Sequence, residues 1–433
     1  MTSFEEAAVQ TRHDGSIVDP AMFPPIQRRT ILVLRCAQIP GQAAVAGVIA
    51  VLALLVGDMF GNDRLAGAGG AAFTLGSAMM APSLAAFMRR RGRRQGLALA
   101  FAVGSLGCVV ATIGGELRWV WLVLAGMVLF GGVQAATLQG RFTAADLAAP
   151  GQGPRAIAAV VWFGTLGAVF GPILTPQWKS LAPHLGLDRL VGPFAFSAVL
   201  ALMSSAVVWC FLRPDPLVIS GGLDPHAART RISRSVHASA TAIRRSPAAS
   251  LGLASMVVAQ VTMTGVMTMT PPHMKDHGHI GTSPYVIAFH IAGMYALAPL
   301  VGRFVERVEA TRAVVAAGVV LSAGTVTAVL GGYQRPLIFV GLFLLGLGWN
   351  IGLIAGSAMV TGAVPASVRV EVQGTADLLM STCGGLAAFG SGFVKHAFGF
   401  HLLANVASLL ALALVVLAVS MRPRLLQSAT PAA

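Results

Sequence analysis

Residues 84–104 read LAAFMRRRGRRQGLALAFAVG. Five arginines stand between Arg89 and Arg94, with an apolar run on either side. A run of about 20 apolar residues is what crosses a hydrocarbon core of about 30 Å, and a cationic cluster stays out of it. The stretch therefore reads as the end of one membrane-spanning helix, a basic turn and the start of the next. The whole chain fits that solvent. Of its 433 residues 55% are hydrophobic and 11% charged, and the mean hydropathy is +0.76. Soluble domains are about 25% charged, so a soluble enzyme is excluded, as is intrinsic disorder, which needs low hydrophobicity. The 50 glycines show no collagen-like period and lie inside apolar runs, where small residues let helices approach closely.

The net charge of +14 raises nucleic acid as a partner. The arginines, however, sit between apolar stretches, so they read as topology signals, and no nucleic acid is expected. Cys36, Cys108, Cys210 and Cys383 lie far apart in apolar runs, offering neither a disulfide framework nor metal-ligand spacing. Residues 1–29 carry acids and prolines without an apolar core before a cleavage site. They read as a polar cytoplasmic tail, not a cleaved signal peptide.

Apolar segments recur at 31–56, 66–88, 95–114, 119–140, 156–174 and 193–212. A polar stretch at 213–246 follows, then six more at 248–268, 284–305, 313–332, 336–362, 372–394 and 402–421. Each is too long for a strand and lacks strict alternation, which favours helices over a barrel. The expected fold is an all-α integral membrane protein with twelve transmembrane helices in two six-helix halves. The domains are a tail at 1–29, halves at 30–212 and 248–421, a cytoplasmic loop at 213–247 and a tail at 422–433. Twelve crossings put both termini on one side. With that side cytoplasmic, 23 of the 30 Lys and Arg lie inside, leaving 7 outside, the bias that sets orientation. Repeated halves are typical of secondary transporters, with substrate held near the midplane between them.

Motifs within these halves resemble the major facilitator superfamily over nearly the whole chain. The family's loop signature is G-x-x-x-D-R-x-G-R-R, whose acid latches the cytoplasmic side closed. In the first half Arg90, Gly92, Arg93 and Arg94 match, while Ala85 replaces Gly and Arg89 replaces Asp. In the second, Gly302, Glu306 and Arg307 match, and Glu309 stands where Gly is expected. The resemblance thus implies an acidic latch in the second half only; the alternative is that the arginines merely anchor topology. On the fifth helix Gly164, Gly167, Gly171 and Pro172 look like the antiporter signature of export members, with Thr175 and Pro176 in place of its trailing glycines. Simple helix packing is the plainer reading. Export members also carry an arginine within the fourth helix and an acid in the first. Here Met127 lies near the expected arginine position, and the first helix has Arg35 but no acid, so the chain departs from the export pattern at both places.

Polar groups inside the spans mark candidate function. Asp377 on the eleventh segment is the least ambiguous, since an Asp at a helix centre costs about 2.5–3.5 kcal/mol to insert. It is the first proton-coupling candidate, with His290 and Asp146 as the others, or else a structural group, paired with Arg369 or held by an interhelical hydrogen bond. Asn350 and Trp349, flanked by Gly348, Gly352 and Gly356, are candidate cavity contacts. So are Gln38, Gln42, Gln134 and Gln260, as well as Arg35 and Arg141. Arg141 and Asp146, five apart, suggest a gate ion pair. His273, His277 and His279 with Asp276 could bind a borderline metal, but Lys275 intrudes. A solvated outer loop without metal or cofactor is expected.

No P-loop, zinc-protease or hydrolase motif occurs, and the three lysines (Lys179, Lys275, Lys395) lack the required neighbours. Ion coupling remains: one charge crossing ~150 mV releases roughly 3.5 kcal/mol, enough for a gradient of a few hundred-fold. The expectation is a monomeric bacterial cytoplasmic-membrane transporter, not an enzyme. It would export small, largely apolar organic molecules in exchange for protons or another ion. The alternatives are an uptake symporter for a polar metabolite or anion, held by Arg35 and Arg141, and a non-transporting receptor or scaffold.

Overall fold

In the computed structural model, residues 23–61, 67–224, 232–276, 283–330 and 335–429 are described. Among them every regular element is helical. The first six spans are α1 (Phe23–Phe60), α2 (Ala68–Arg91), α3 (Arg93–Glu116), α4 (Val120–Ala145), α5 (Gly153–Leu181) and α6 (Gly192–Phe211). The stretch read from sequence as a polar loop is itself partly helical, holding α7 (Pro216–Ile219) and α8 (Ile232–Arg245). Then come α9 (Pro247–Asp276), α10 (Ser283–Tyr295), α11 (Ala298–Val308), α12 (Ala310–Leu330), α13 (Arg335–Gly362) and α14 (Ala366–Ala429).

Two of these differ from simple spans for identifiable reasons. The α10–α11 pair forms one crossing broken at Ala296 and Leu297. Pro299 at the start of α11 has no N–H for the Tyr295 carbonyl, and its ring crowds that carbonyl. The apolar part of α14, Ala366–Arg422, spans 57 residues, or roughly 85 Å, too long to cross once. It turns at Gly399, whose φ of 83° and ψ of 167° suit only glycine. That makes two crossings, and twelve in all among the described residues.

Two compact units form. The first comprises the residues up to Ala156, Leu166–Ser239 and Pro365–Asp377. The second comprises Ile157–Thr165, Ala240–Val364 and the chain from Leu378. In the first, α4 packs on α1, α2 and α3, while α6 packs on α1 and α3. In the second, α13 is central, touching α9, α10, α11 and α12. Lipid gives no hydrophobic drive between helices, so close approach of small residues supplies the attraction. Gly107 and Gly126 show it: a Cβ on either would meet the other helix's backbone. The outer surfaces are apolar, with Phe389 70% and Val416 68% exposed, as expected where lipid replaces water.

The two basic turns share a backbone feature. Gly92, between α2 and α3, has φ 91° and ψ 168°. Glu309, between α11 and α12, has φ 75° and ψ 137°. A non-glycine residue there stores of order 1–3 kcal/mol. Glu309→Gly should relieve it, less the added chain entropy of glycine, and stabilise the protein by about 1 kcal/mol. A thermal melt of the purified variant in detergent should show a higher midpoint; an unchanged or lower one would show that the turn is not strained.

Candidate functional site

The Arg-rich turn at 89–94 builds the site. At Gly92 a Cβ would strike the Asp215 carboxylate, so the absent side chain lets that acid approach. Asp215 accepts hydrogen bonds from the backbone N–H groups of Arg93 (3.1 Å) and Arg94 (2.8 Å), the first residues of α3, and of Leu217 (2.9 Å). It thereby caps a helix whose own N-cap residue has no side chain. Burial pushes the Asp215 carboxyl above its ordinary range, and the three backbone donors pull it back. The Arg94 guanidinium donates to the Trp209 carbonyl (2.8 Å) and lies 4.5 Å from that residue's ring. Arg90 stays half-exposed.

Arg93 turns inward and is completely buried. Its Nε donates to Asp146 Oδ2 at 2.8 Å and one terminal nitrogen to Asp146 Oδ1 at 3.2 Å, a bidentate pair. The same guanidinium donates to Gln139 Oε1 at 3.0 Å and Gln373 Oε1 at 2.6 Å. Gln139 passes the network on: its Nε2 donates to Asp377 Oδ2 at 2.9 Å. Arg141 donates to the other Asp377 oxygen and, from its second terminal nitrogen, to the Leu138 carbonyl at 2.8 Å. Two buried arginines thus face two buried aspartates, bridged by Gln139 with Gln373 as a further acceptor for Arg93, and the formal charge sums to zero. Gln373 and Asp377, at i and i+4, share one face of α14. At the rim, half-buried Arg89 pairs with Glu371 at 3.0 Å. All of these residues belong to the first unit.

Three expectations are corrected here. Arg141 and Asp146 do not pair with each other. Five residues apart on α4, they are turned about 140° around the helix, so Arg141 meets Asp377 and Asp146 meets Arg93. Asp377 is not paired with Arg369, which lies eight residues, about 12 Å, further down the same helix. Acidic pairing is also not confined to the second half. At the position where the family signature has an acid, Arg89 pairs with Glu371. In the second turn Gly302 is buried, Glu306 half-buried and Arg307 exposed, while Glu309 and Arg312 form an exposed 3.8 Å pair.

The remaining candidates fall into other groups. In the first unit Arg35, Gln38 and Gln42 follow one another along one side of α1, half-buried like Gln134 on α4. A Cβ on Gly140 would lie 3.7 Å from Gln38 Oε1. Gly167 and Gly171 let α5 meet the backbone of α1; Gly164 is buried and Pro172 exposed, within an unbroken helix. In the second unit Trp349 Nε1 donates to Gln260 Oε1 at 2.8 Å, and Tyr295 stands edge-on to Trp349 at 5.7 Å. Asn350 is completely buried, and neither amide atom finds a partner among the described residues. His290 is buried with Nδ1 2.8 Å from the Leu342 carbonyl, a helix-to-helix contact. His273 is not on a solvated loop: α9 continues through it, and its ring stacks on Phe400 at 4.2 Å. His277 and His279 lie outside the described residues. Among the described residues no three His, Cys, Asp or Glu side chains gather to hold a metal.

Asp215 and Glu371 escaped the sequence reading. Their signal is scarcity: with 30 Lys and Arg against 16 Asp and Glu, an acid lying among arginines is a prime candidate for pairing.

Residues 36–388 match the family model described as Major Facilitator Superfamily. An uncharacterized MFS-type transporter, YdeG of Bacillus subtilis (strain 168), is 34% identical over 411 residues, covering 94% of this chain and 95% of that protein. The riboflavin transporter RfnT of Brucella anthropi is 31% identical over 405 residues, 92% of this chain and 97% of its own. Among solved structures, the human organic anion transporter MFSD10 (TETRAN) superposes with a TM-score of 0.75 at 18% identity, covering 90% of this chain and 99% of that one.

Removing one member of a fully buried ion pair strands the other charge and costs about 3–5 kcal/mol, whereas Arg89 and Glu371 keep some access to solvent and lose less. Asp146→Asn should therefore lower the melting temperature far more than Glu371→Gln. Equal shifts would show that the Arg93 cluster does not hold the first unit together.

Proposed function

From the premise that the chain belongs to the Major Facilitator Superfamily, and is a multi-pass membrane transporter and not an enzyme, we propose proton-coupled secondary transport by alternating access. In this reading residues 30–212 and 248–421 are the two six-helix halves, and the termini lie in the bacterial cytoplasm. The cargo is a small, largely apolar organic molecule with a few hydrogen-bonding atoms, moved outward. The half-buried amides Gln38, Gln42 and Gln134 of the first unit are candidate contacts, as is Gln260 of the second, with the buried Trp349 and Asn350 behind it. Amides on an otherwise apolar surface suit such a ligand.

The observation that carries the coupling is the pairing of Asp377 with Arg141 and Gln139. A proton on Asp377 removes one negative charge from a balanced, buried set of four. The buried Asp377–Arg141 pair then loses its charge attraction, at a cost of several kcal/mol. The least costly response is for α14 and α4 to part and for Arg141 to reach water. Protonation therefore loosens the clamp on 365–377, and deprotonation restores it. Substrate movement tied to that cycle is proton-coupled. Outward direction rests on the Gly167-x-x-x-Gly171-Pro172 likeness to export members, supported by the close α1–α5 crossing.

A second reading is uptake of a polar metabolite by symport. It is favoured by the relative named a riboflavin transporter, with Arg35 as a further substrate contact. Transport in right-side-out against inverted vesicles separates the two directions.

Asp377→Asn should express and insert yet lose at least tenfold of the accumulation driven by a pH gradient in proteoliposomes. The double variant Asp377→Asn with Arg141→Gln removes the stranded charge, so it should recover stability while staying uncoupled. Coupled transport in either variant at the native rate would take Asp377 out of the mechanism.

A further inference from the structure

Gln260 lies on α9 thirteen residues beyond Pro247, about 20 Å along the helix, which is midway through a bilayer of ordinary thickness. Its amide has only one usable orientation. Trp349 Nε1–H donates to Gln260 Oε1 at 2.8 Å, and an indole N–H can only donate. The amide oxygen must therefore face the indole. Turning the amide over would set two donors against each other and leave both unsatisfied in a low-dielectric place. Gln260 Nε2, with two hydrogens to give, has no acceptor among the described residues.

The surroundings hold that arrangement. Gln260 lies across Gly384, where a Cβ would meet Gln260 Cγ at 2.6 Å and Nε2 at 3.1 Å. The Thr264 hydroxyl lies 2.8 Å from the Gln260 backbone carbonyl and 3.1 Å from that of Gly384, which ties the two helices together beside the amide. Tyr295 stands edge-on to the indole, its ring centroid 5.7 Å away at 75°. Gln260 and Tyr295 are half-exposed, whereas Trp349 is only 5% exposed. The corner therefore presents a donor and an aromatic surface, and all three side chains are uncharged.

We propose that Gln260, locked by Trp349, is a donor-only contact that selects cargo carrying a neutral hydrogen-bond acceptor at the edge of a flat ring. A ring carbonyl or an unprotonated ring nitrogen satisfies it. A ring edge offering only N–H, or a quaternary cation with no lone pair, leaves the amide hydrogens unmet. Polar groups left unpaired in a site of this kind are what generate strong discrimination. Tyr295 supplies the surface on which the ring packs, in offset or edge-on geometry. The inference rests on the transporter reading above, because it names the class of molecule that reading leaves open.

The test uses purified full-length protein and two radiolabelled flat probes of similar size, N-methyl-4-quinolone, which has a ring carbonyl, and N-methylquinolinium, which has no acceptor. The wild type should bind the quinolone at least tenfold more tightly. Gln260→Leu should bring the ratio near one. Trp349→Phe keeps an aromatic ring but frees the amide to turn over, so it too should lose most of the preference while melting close to the wild type. Gly384→Ala should displace the amide and weaken quinolone binding about tenfold without raising quinolinium binding. No preference in the wild type, no binding of either probe, or a preference that survives both Gln260→Leu and Trp349→Phe would overturn the proposal. Flux of the quinolone into proteoliposomes is read separately. Discrimination in binding without flux would refute the transport reading and leave the corner standing; flux without discrimination would do the reverse.

Discussion

Two guanidinium groups buried in a protein that lives in lipid set the terms for everything around them. Arg93 and Arg141 are almost inaccessible, and neither can shed its proton. Each must be met by a carboxylate and have its remaining N–H groups satisfied, or the fold fails locally. Asp146 and Asp377 supply the charges. Gln139 and Gln373 supply further oxygens to Arg93 and the Leu138 carbonyl one to Arg141, and Gln139 also links the two pairs. This demand explains why the first part of α14, residues 365–377, is compact with α2, α3 and α4 and not with the helices that precede it in sequence.

The same economy runs through the basic turn itself. Positive charge is abundant and acid is scarce, and one acid near that end is used more than once. Asp215 caps α3 through the Arg93 and Arg94 amides and also caps the short α7. Glycine at position 92 makes this geometry available on two counts, its positive φ and its missing Cβ. The second turn has the same backbone shape but a glutamate in the glycine's place. The two turns therefore share a conformation without sharing the residues that make it inexpensive.

The proposed coupling rests on groups that can change partners. The buried pairs Asp377–Arg141 and Asp146–Arg93 have balanced formal charges, and in that proposal the gain or loss of one proton gives the balance a mechanical consequence. The Gln260–Trp349 pair differs in kind. It carries no charge, and its value lies in fixing which end of an amide faces outward. One group suits coupling and the other suits recognition, and they lie in different compact units.

Composition, run length and charge asymmetry were enough to identify lipid as the solvent, to place twelve crossings and to single out Asp377, Arg141, Asp146 and the Arg89–Arg94 turn. Those features are local: an apolar run is either long enough to span or it is not, and an acid inside one demands a reason wherever its partner lies. Partners were beyond its reach. Asp377 and Arg141 are separated by 236 positions, Arg89 and Glu371 by 282, and no periodicity connects such residues. Only the packing of helices decided that Arg141 faces Asp377 and not Asp146, that His273 stacks inside the protein, and that Trp349 fixes the Gln260 amide. Each outcome depends on the angle at which a side chain leaves its helix and on which helix meets it there.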